Sequence, residues 1–125
     1  MHTTADAVII GGGILGASTA HFLAKKGFGK IVLLEIRTLA AVSTGHSAAA
    51  IWTFYSNRVT VRLAHRALKM FSHGELELGG DCGFQRIGYL VLLGEEGAAA
   101  GRQVVELERA EGIRIEELSR DELAA

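Results

Sequence analysis

A glycine-rich turn between a short apolar run and a helical segment constrains the fold of this chain more than any other feature. The apolar run is Ala-Val-Ile-Ile at residues 7–10, and the turn is Gly-Gly-Gly-Ile-Leu-Gly at residues 11–16. A helix is predicted over residues 17–26, followed by a second apolar run at residues 31–34 that ends on Glu35. This is the order of strand, glycine turn, helix, parallel strand and acid that a dinucleotide-binding βαβ unit requires.

The glycines of the turn each have a predicted physical role. Gly11 lets the chain turn tightly off the first strand, because a Cβ there is expected to clash. Gly13 lets the backbone approach a pyrophosphate, and Gly16 lets the helix lie close to the sheet. The free N–H groups of the first helical turn, which includes Ile14 and Leu15, point at the phosphates, where the helix dipole favours negative charge.

Glu35 completes the predicted dinucleotide site. It lies 19 residues past Gly16, at the tip of the second strand. A carboxylate there can accept hydrogen bonds from ribose hydroxyls and repels a 2′-phosphate. The alternative interpretation is a tight βα turn with no ligand, which the flanking strand, helix and acid disfavour.

Length and composition indicate one globular domain. The chain has 125 residues, of which 49% are hydrophobic and 22% charged. The net charge of −1 and the lack of a basic stripe argue against nucleic acid as a partner. No run approaches the roughly 20 apolar residues of a membrane span, and no basic segment precedes the apolar run as in a signal peptide. A single cysteine, Cys82, excludes an internal disulfide framework, so we predict a cytoplasmic protein. The cysteine and histidine spacing predicts no metal site.

The rest of the chain is predicted to be mainly helical. The expected elements are a helix over residues 59–73, a loop or frayed helix end over 74–83, a strand over 84–93, a helix over 95–112 and a short extended segment at 113–118. The first of these helices is expected to place Val61, Ala64, Leu68 and Phe71 on one apolar face. The second is expected to end at Gly112, to turn Ala100, Val104 and Leu107 inward, and to pair Arg102 with Glu106 on its surface.

The C-terminal residues predict an incomplete fold. Ser119 to Glu122 form a capping box, the signature of a beginning helix, yet the sequence stops three residues later. A helix of that length is not stable alone in water, and two parallel strands do not make a complete sheet. We therefore predict the N-terminal part of a longer protein. The alternative is a short chain that completes its sheet with a partner.

Five blocks of sequence, taken in order, resemble a known family. They are VIIGGGILGA at residues 8–17, Glu35, STGHS at 43–47, YSN at 55–57 and GFQRIGYL at 83–90. This series resembles the FAD-dependent amine and amino-acid oxidoreductases of the D-amino-acid oxidase superfamily, which include sarcosine oxidase, dimethylglycine dehydrogenase and glycine oxidase. Many nucleotide-binding proteins share the glycine fingerprint, whereas its combination with the Thr-Gly-His-Ser block is more specific.

The resemblance implies FAD rather than NAD as cofactor. It implies that the adenosine half lies over Gly11, Gly13, Gly16 and Glu35. It also implies that the following segment passes beside the pyrophosphate, ribityl chain and flavin ring, through Ser43, Thr44, Gly45, His46 and Ser47. In such enzymes a hydride leaves the carbon next to an amine, and water hydrolyses the resulting imine.

Two features of the resemblance leave alternatives open. In some relatives a histidine in a block like that of His46 is joined covalently to the flavin; the other reading is a neutral histidine that hydrogen-bonds backbone or cofactor. Many relatives also carry one or two arginines where this chain has Ala49, Ala50 and Trp52, and the nearest arginine is Arg58. The catalytic residues and the anchor for a substrate carboxylate therefore cannot be assigned.

The predicted fold class is α/β, with a Rossmann-like FAD-binding βαβ unit followed by the start of a substrate-binding domain, incomplete in this chain. Residues 1–78 are expected to be the N-terminal part of the FAD-binding domain. Residues 79–125 are expected to begin the substrate-binding domain, because Ile87 to Leu93 resembles the first strand of that domain in the family.

The leading functional hypothesis is an FAD-dependent oxidoreductase that oxidises the C–N bond of a secondary amine or amino acid, present here as an N-terminal fragment that is inactive alone. The expected partners are the small amine substrate and either other subunits or the remainder of the same protein. A second hypothesis is a non-catalytic flavin-binding or regulatory subunit of the same superfamily. A third, an NAD-dependent dehydrogenase, is disfavoured by the Ser-Thr-Gly-His-Ser block.

Overall fold

A computed structural model describes residues 4–124 of the chain. In chain order the elements are β1 (Ala7–Ile10), α1 (Ile14–Lys25), β2 (Ile31–Leu34), α2 (Arg58–Ser72), α3 (Gly74–Leu78), α4 (Glu95–Ala110) and α5 (Arg120–Ala124). The residues form two compact units, a first unit that ends at Ala50 and a second unit that begins at Ile51. The domain boundary predicted after residue 78 falls inside the second unit and stays a prediction about the whole protein.

The first unit is the predicted βαβ unit. β1 and β2 pair in parallel, with Ala7 opposite Ile31 and Ile10 opposite Leu34, and α1 connects them. The helix begins earlier than predicted, because Gly13 is its extended N-cap residue and the Ala17 N–H already donates to the Gly13 carbonyl at 2.9 Å. The mixed helix and strand architecture therefore agrees with a Rossmann-like start.

Two glycines of the turn are required for different reasons. A Cβ on Gly16 would strike the Gly11 carbonyl oxygen and lie 3.3 Å from Ile9 Cγ2, so only glycine lets α1 pack against the end of β1. The clash predicted for Gly11 is wrong, since no atom of the described chain lies within 4 Å of a Cβ built there. Gly11 is required because its φ of +102° lies in a region that side-chain-bearing residues rarely adopt.

Helix α2 supplies one wall of the second unit. Its N-cap residue is Asn57, whose side-chain oxygen accepts hydrogen bonds from the N–H groups of Val59 at 2.9 Å and Thr60 at 3.2 Å. Val61 is fully buried, as predicted for the apolar face, and it forms the core of the unit with Val104 and Val105 of α4.

The predicted strand at residues 84–93 is wrong. These residues have no assigned secondary structure and belong to no sheet. Two physical reasons account for this: a strand needs a hydrogen-bonding neighbour, and Gly88 interrupts the run with a φ of +72°. In the segment predicted from Gly74 as a loop or frayed helix end, the first residues form the short helix α3, which ends where Gly79 adopts a φ of +85°.

The end of α4 follows the prediction. Gly112 has a φ of +75°, its N–H donates to the Arg109 carbonyl at 3.0 Å, and the Ile113 N–H donates to the Glu108 carbonyl at 3.0 Å. This pair of bonds is the Schellman arrangement. The prediction for Arg102 is wrong, because no ion pair joins it to Glu106 among the pairs of the described residues.

The buried face of α4 differs in part from the predicted one. Val104 is buried and Leu107 is half-buried, but Ala100 is exposed. Gly101 takes the inward position instead, since a Cβ there would strike the side chain of Leu93.

The predicted capping box of α5 is present. The Ser119 N–H donates to Glu122 Oε2 at 2.7 Å, and the Glu122 N–H donates to Ser119 Oγ at 3.3 Å. The helix itself stays short, with no buried residue. None of the helices in residues 4–124 has the length and apolarity needed to cross a membrane.

Gly16 and Gly97 provide a matched test of the glycine argument. We expect Gly16→Ala to destabilise the chain by about 1–3 kcal/mol, because the added methyl group overpacks the turn. Gly97→Ala should stabilise by up to about 1 kcal/mol, since Gly97 lies in α4 and a Cβ there meets only Leu93, at an ordinary 3.8 Å. Urea unfolding followed by circular dichroism measures both. Equal effects of the two substitutions would contradict the close packing of α1 on β1.

Candidate nucleotide-binding site

The loop after β2 folds back over the glycine turn. The Ala40 N–H donates to the Gly12 carbonyl at 3.0 Å, and the Gly45 N–H donates to the Ala40 carbonyl at 2.9 Å. Leu39 packs on Gly12, with its Cδ2 2.5 Å from where a Cβ would be. Ala40 has a φ of +60°, which is unfavourable for a residue with a Cβ. These contacts bring the Ser-Thr-Gly-His-Ser block onto the Gly-x-Gly-x-x-Gly block.

Thr44 lies at the N-terminus of α1. Its Oγ1 accepts a hydrogen bond from the Ile14 N–H at 3.0 Å, and a Cβ on Gly13 would lie 3.2 Å from the same oxygen. The N–H groups of Leu15 and Gly16 donate to no acceptor within the described chain. Two free N–H groups and a threonine hydroxyl therefore lie at the positive end of one helix dipole, an arrangement that suits an anion.

Glu35 ties the end of β2 to the glycine turn. One carboxylate oxygen accepts the Gly12 N–H at 2.7 Å, and the other accepts the Arg37 N–H at 2.9 Å. The hydrogen bond from Gly12, followed by that from Arg37, lowers the pKa of the Glu35 carboxyl below its usual 4.5. The group is therefore ionised at neutral pH. A carboxylate has about four lone-pair positions, so Glu35 can still accept hydrogen bonds from a diol.

The remaining predicted site residues lie on the same loop. His46 is exposed, and its Nδ1 lies 2.6 Å from the Val42 carbonyl oxygen. Because a carbonyl only accepts, Nδ1 carries the proton and Nε2 of the neutral ring keeps its lone pair. The Ser47 hydroxyl donates to the Thr44 carbonyl at 2.9 Å, whereas Ser43 is exposed on the outside of the loop. Gly45 is required by close packing, since a Cβ there would strike the Ala40 carbonyl oxygen.

Sequence reasoning missed three contributors to this site. Gly12 supplies the N–H that holds Glu35, Arg37 supplies the second N–H, and Ala40 makes the turn that returns the loop. Gly12 occupies a variable position of the fingerprint, so only its glycine identity could have indicated a close contact. No residue pattern marks Ala40, because an alanine with positive φ has no sequence signature.

Trp52 and Tyr55, two aromatic residues that follow the Ser-Thr-Gly-His-Ser block in the sequence, belong to the second unit and carry no assignment to this site. The described residues contain no group of three or more histidine, cysteine, aspartate or glutamate side chains arranged to hold a metal ion.

The donors and acceptors of the turn fit an adenine dinucleotide. An ionised carboxylate faces the turn from the end of β2, and unpartnered N–H groups open the helix that follows. The carboxylate can accept hydrogen bonds from the neutral ribose hydroxyls of a dinucleotide, and the N–H groups can donate to its negative pyrophosphate. The fold and this site thus define the class of dinucleotide-binding α/β proteins.

Comparison with known sequences identifies the family within that class. The profile described as "FAD dependent oxidoreductase", the DAO family, matches residues 6–125. The chain therefore belongs to the DAO family of FAD-dependent oxidoreductases.

Three curated relatives illustrate the similarity. The pyruvate dehydrogenase phosphatase regulatory subunit of Mus musculus is 40% identical over 88 residues, which are 70% of this chain and 10% of that protein. Dimethylglycine dehydrogenase of Rattus norvegicus is 39% identical over 89 residues, again 70% of this chain and 10% of the relative. Sarcosine dehydrogenase of Mus musculus is 34% identical over 119 residues, 94% of this chain and 13% of the relative.

The chain thus spans between 10% and 13% of the length of these relatives. No solved structure matches it significantly.

The hydrogen bonds on Glu35 predict how the first unit responds to acid. Because the folded pKa of Glu35 is lowered, its contribution to stability is present above the unfolded pKa and is lost as pH falls through the folded one. The amide proton shifts of Gly12 and Arg37, followed by NMR against pH, should titrate together with a midpoint below 4.5. In Glu35→Gln this titration should vanish, while the exposed control Glu117→Gln should retain it. A midpoint at or above 4.5 would contradict the two hydrogen bonds.

Proposed function

We propose that the protein is an FAD-dependent oxidoreductase that oxidises the C–N bond of a small amine or amino acid. The observation that carries the proposal is the joining of Glu35 to Gly12 beside the open N-terminus of α1. Membership of a family of FAD-dependent enzymes supports the choice of FAD over NAD.

The chain's own residues would hold the adenosine diphosphate half of the cofactor. The N–H groups of Leu15 and Gly16, with the Thr44 hydroxyl, would bind the pyrophosphate. Glu35 would accept hydrogen bonds from the ribose hydroxyls while its charge keeps a 2′-phosphate away. When bound, the flavin supplies the hydride acceptor for the reaction.

The substrate class follows from the relatives. Two of the relatives above are a dimethylglycine dehydrogenase and a sarcosine dehydrogenase. We therefore propose an N-methylated amino acid as substrate. An arginine is a natural anchor for a substrate carboxylate, and this chain has Ala49, Ala50 and Trp52 where the family resemblance leads us to expect arginines, so we expect the anchor outside this segment.

His46 has two roles within the proposal. Its Nδ1–H is committed to the Val42 carbonyl, which leaves Nε2 as the atom that could form a covalent bond to the flavin or accept a hydrogen bond from it. The mass of the denatured holoprotein distinguishes them, because only a covalent link retains the flavin.

A regulatory subunit is the second candidate function. It is favoured by one observation, the 40% identity to a pyruvate dehydrogenase phosphatase regulatory subunit. Such a protein would share the dinucleotide site but turn over no amine. The two candidates therefore differ in their response to substrate and not in their binding of the cofactor.

The nucleotide site can be tested on the chain itself. We expect weak binding of FAD, with ADP competing for the same site and FMN, which lacks the adenylate, not competing. Glu35→Gln should weaken ADP binding by about 10- to 150-fold, since a hydrogen bond to a charged group contributes roughly 1.5–3 kcal/mol. Glu117→Gln serves as the control. NMR titration at high ligand concentration is the measurement, and competition by FMN, or tighter binding of a 2′-phosphorylated nucleotide than of ADP, would refute the site.

The reaction can be tested on the FAD-loaded protein in the longer form that the sequence predicts, because this segment alone is expected to be inactive. Addition of sarcosine or dimethylglycine without oxygen should bleach the visible absorbance of bound FAD, because the substrate hydride reduces the flavin. L-Lactate, which has a hydroxyl in place of the amine, is the matched control and should leave the spectrum unchanged. Bound FAD with no bleaching by any N-methylated amino acid would reject the enzyme and support the regulatory candidate.

A further inference from the structure

A carboxylic acid lies in the core of the second unit. Glu108 of α4 is only 1% exposed and, with Val61, is one of the two largest fully buried side chains. Val104 and Val105, one turn earlier on α4, are the other buried apolar residues of this core. Glutamate is rarely buried to this extent unless it is paired, and Glu108 Oε1 has no hydrogen-bond partner within the described chain.

A chain of hydroxyl groups leads from Glu108 towards the surface. The side chain of Thr53, which is 4% exposed, interacts with the Glu108 carboxyl. Tyr89 Oη lies 2.6 Å from Thr53 Oγ1, where either hydroxyl can donate, and it accepts the Thr53 N–H at 3.3 Å. Thr53 therefore connects the Glu108 carboxyl to the Tyr89 hydroxyl.

The Trp52 ring contacts two other aromatic rings, one of which belongs to Tyr89 and so carries a hydroxyl of this chain. The Trp52 ring stacks on Tyr89, with ring centroids 4.4 Å apart and planes at 24°, and it meets Phe54 edge-on at 6.3 Å. The Trp52 indole N–H donates to the Phe54 carbonyl at 2.9 Å. We call Trp52, Phe54 and Tyr89 the aromatic strap. The strap is attached to Glu108 through Thr53.

No cation in the described chain compensates a charge on Glu108. Arg58 and Arg62 of α2 pair with Glu111 at 3.4 and 2.7 Å, and His65 of the same helix also acts on Glu111. Burial raises the pKa of the Glu108 carboxyl, and the hydrogen bond from Thr53 offsets this only in part.

We propose that Glu108 is a buried proton switch whose neutral form holds the aromatic strap against α4 and whose ionised form releases it. An unpaired charge in a valine-lined core is unfavourable. Removing Glu108 from this core requires Thr53 to move, because Thr53 is buried against the carboxyl. Movement of Thr53 then displaces Trp52 and Tyr89. The proposal does not depend on the cofactor and goes beyond the proposed reaction.

The sign of the pH dependence follows from linkage. Since the folded pKa of Glu108 is raised, the folded state binds more protons than the unfolded state between the usual pKa and the raised one. The second unit should therefore lose stability as pH rises through this window. Glu111 has a lowered pKa because of Arg62, so its contribution is lost at lower pH and has the opposite sign.

Trp52 is the only tryptophan of the chain and reports the state of the strap. We expect the fluorescence of the full chain to change in one step as pH rises, with a midpoint above the usual glutamate value of 4.5. Glu108→Gln, which keeps the shape of the side chain but cannot ionise, should abolish the step. Glu106→Gln, an exposed glutamate on the same helix, should leave it unchanged.

A second variant gives a shift of defined direction. Thr53→Val removes the hydroxyl that favours the ionised form, so the midpoint should move to higher pH. If Glu108→Gln does not fold, infrared spectroscopy of the unmodified chain replaces it. The C=O band of a protonated carboxyl group should then persist above the pH at which ordinary glutamates have ionised. A fluorescence step retained in Glu108→Gln, no step in the unmodified chain, or the absence of that infrared band would overturn the proposal.

Discussion

The hydrogen bond from the Gly12 N–H to the Glu35 carboxylate is the contact on which the first unit depends. This bond is 2.7 Å long and joins two residues 23 positions apart, which follow the ends of the two strands of the βαβ unit. It holds an ionised side chain beside the glycine turn, and the same carboxylate accepts the Arg37 N–H that begins the next loop. Without it, the Glu35 carboxylate could turn away from the N-terminus of α1. The two features that together suit a dinucleotide, a negative charge and an open helix N-terminus, would then no longer lie side by side.

The loop that follows β2 completes this arrangement through the backbone more than through side chains. Ala40 donates to Gly12 from an unfavourable left-handed conformation. A cost of about 1–2 kcal/mol for such a residue is offset only where surrounding contacts hold it. Because the loop turns back at Ala40, Thr44 accepts the Ile14 N–H at the start of α1, and His46 uses only Nδ1 in its hydrogen bond to the Val42 carbonyl. The unfavourable conformation of Ala40 thus accompanies the close approach of the Ser-Thr-Gly-His-Ser block to the glycine turn.

The second unit shows where local patterns succeeded and where they failed. The apolar face of α2 and the Gly112 end of α4 were predicted because helix periodicity and glycine C-caps are local signals. The strand expected at residues 84–93 was not found. A strand forms only with a neighbour, and β-branched and aromatic composition cannot supply one. The burial of Glu108 was not predicted either, since its helical position gives no sign that Thr53 lies next to it.

The βαβ order and the parallel pairing it implies could be predicted from the sequence, because spacing along the chain controls a tight turn and the helix after it. The sequence blocks also indicated the family, and with it Glu35 and Thr44 as candidates. The folded structure was needed to show that Glu35 is held by Gly12, that Thr44 accepts the Ile14 N–H, and that Glu108 Oε1 is buried with no hydrogen-bond partner among the described residues. These facts depend on contacts between residues far apart in the chain. Such contacts follow from how a loop closes and how a core fills, and neither is encoded in a local pattern.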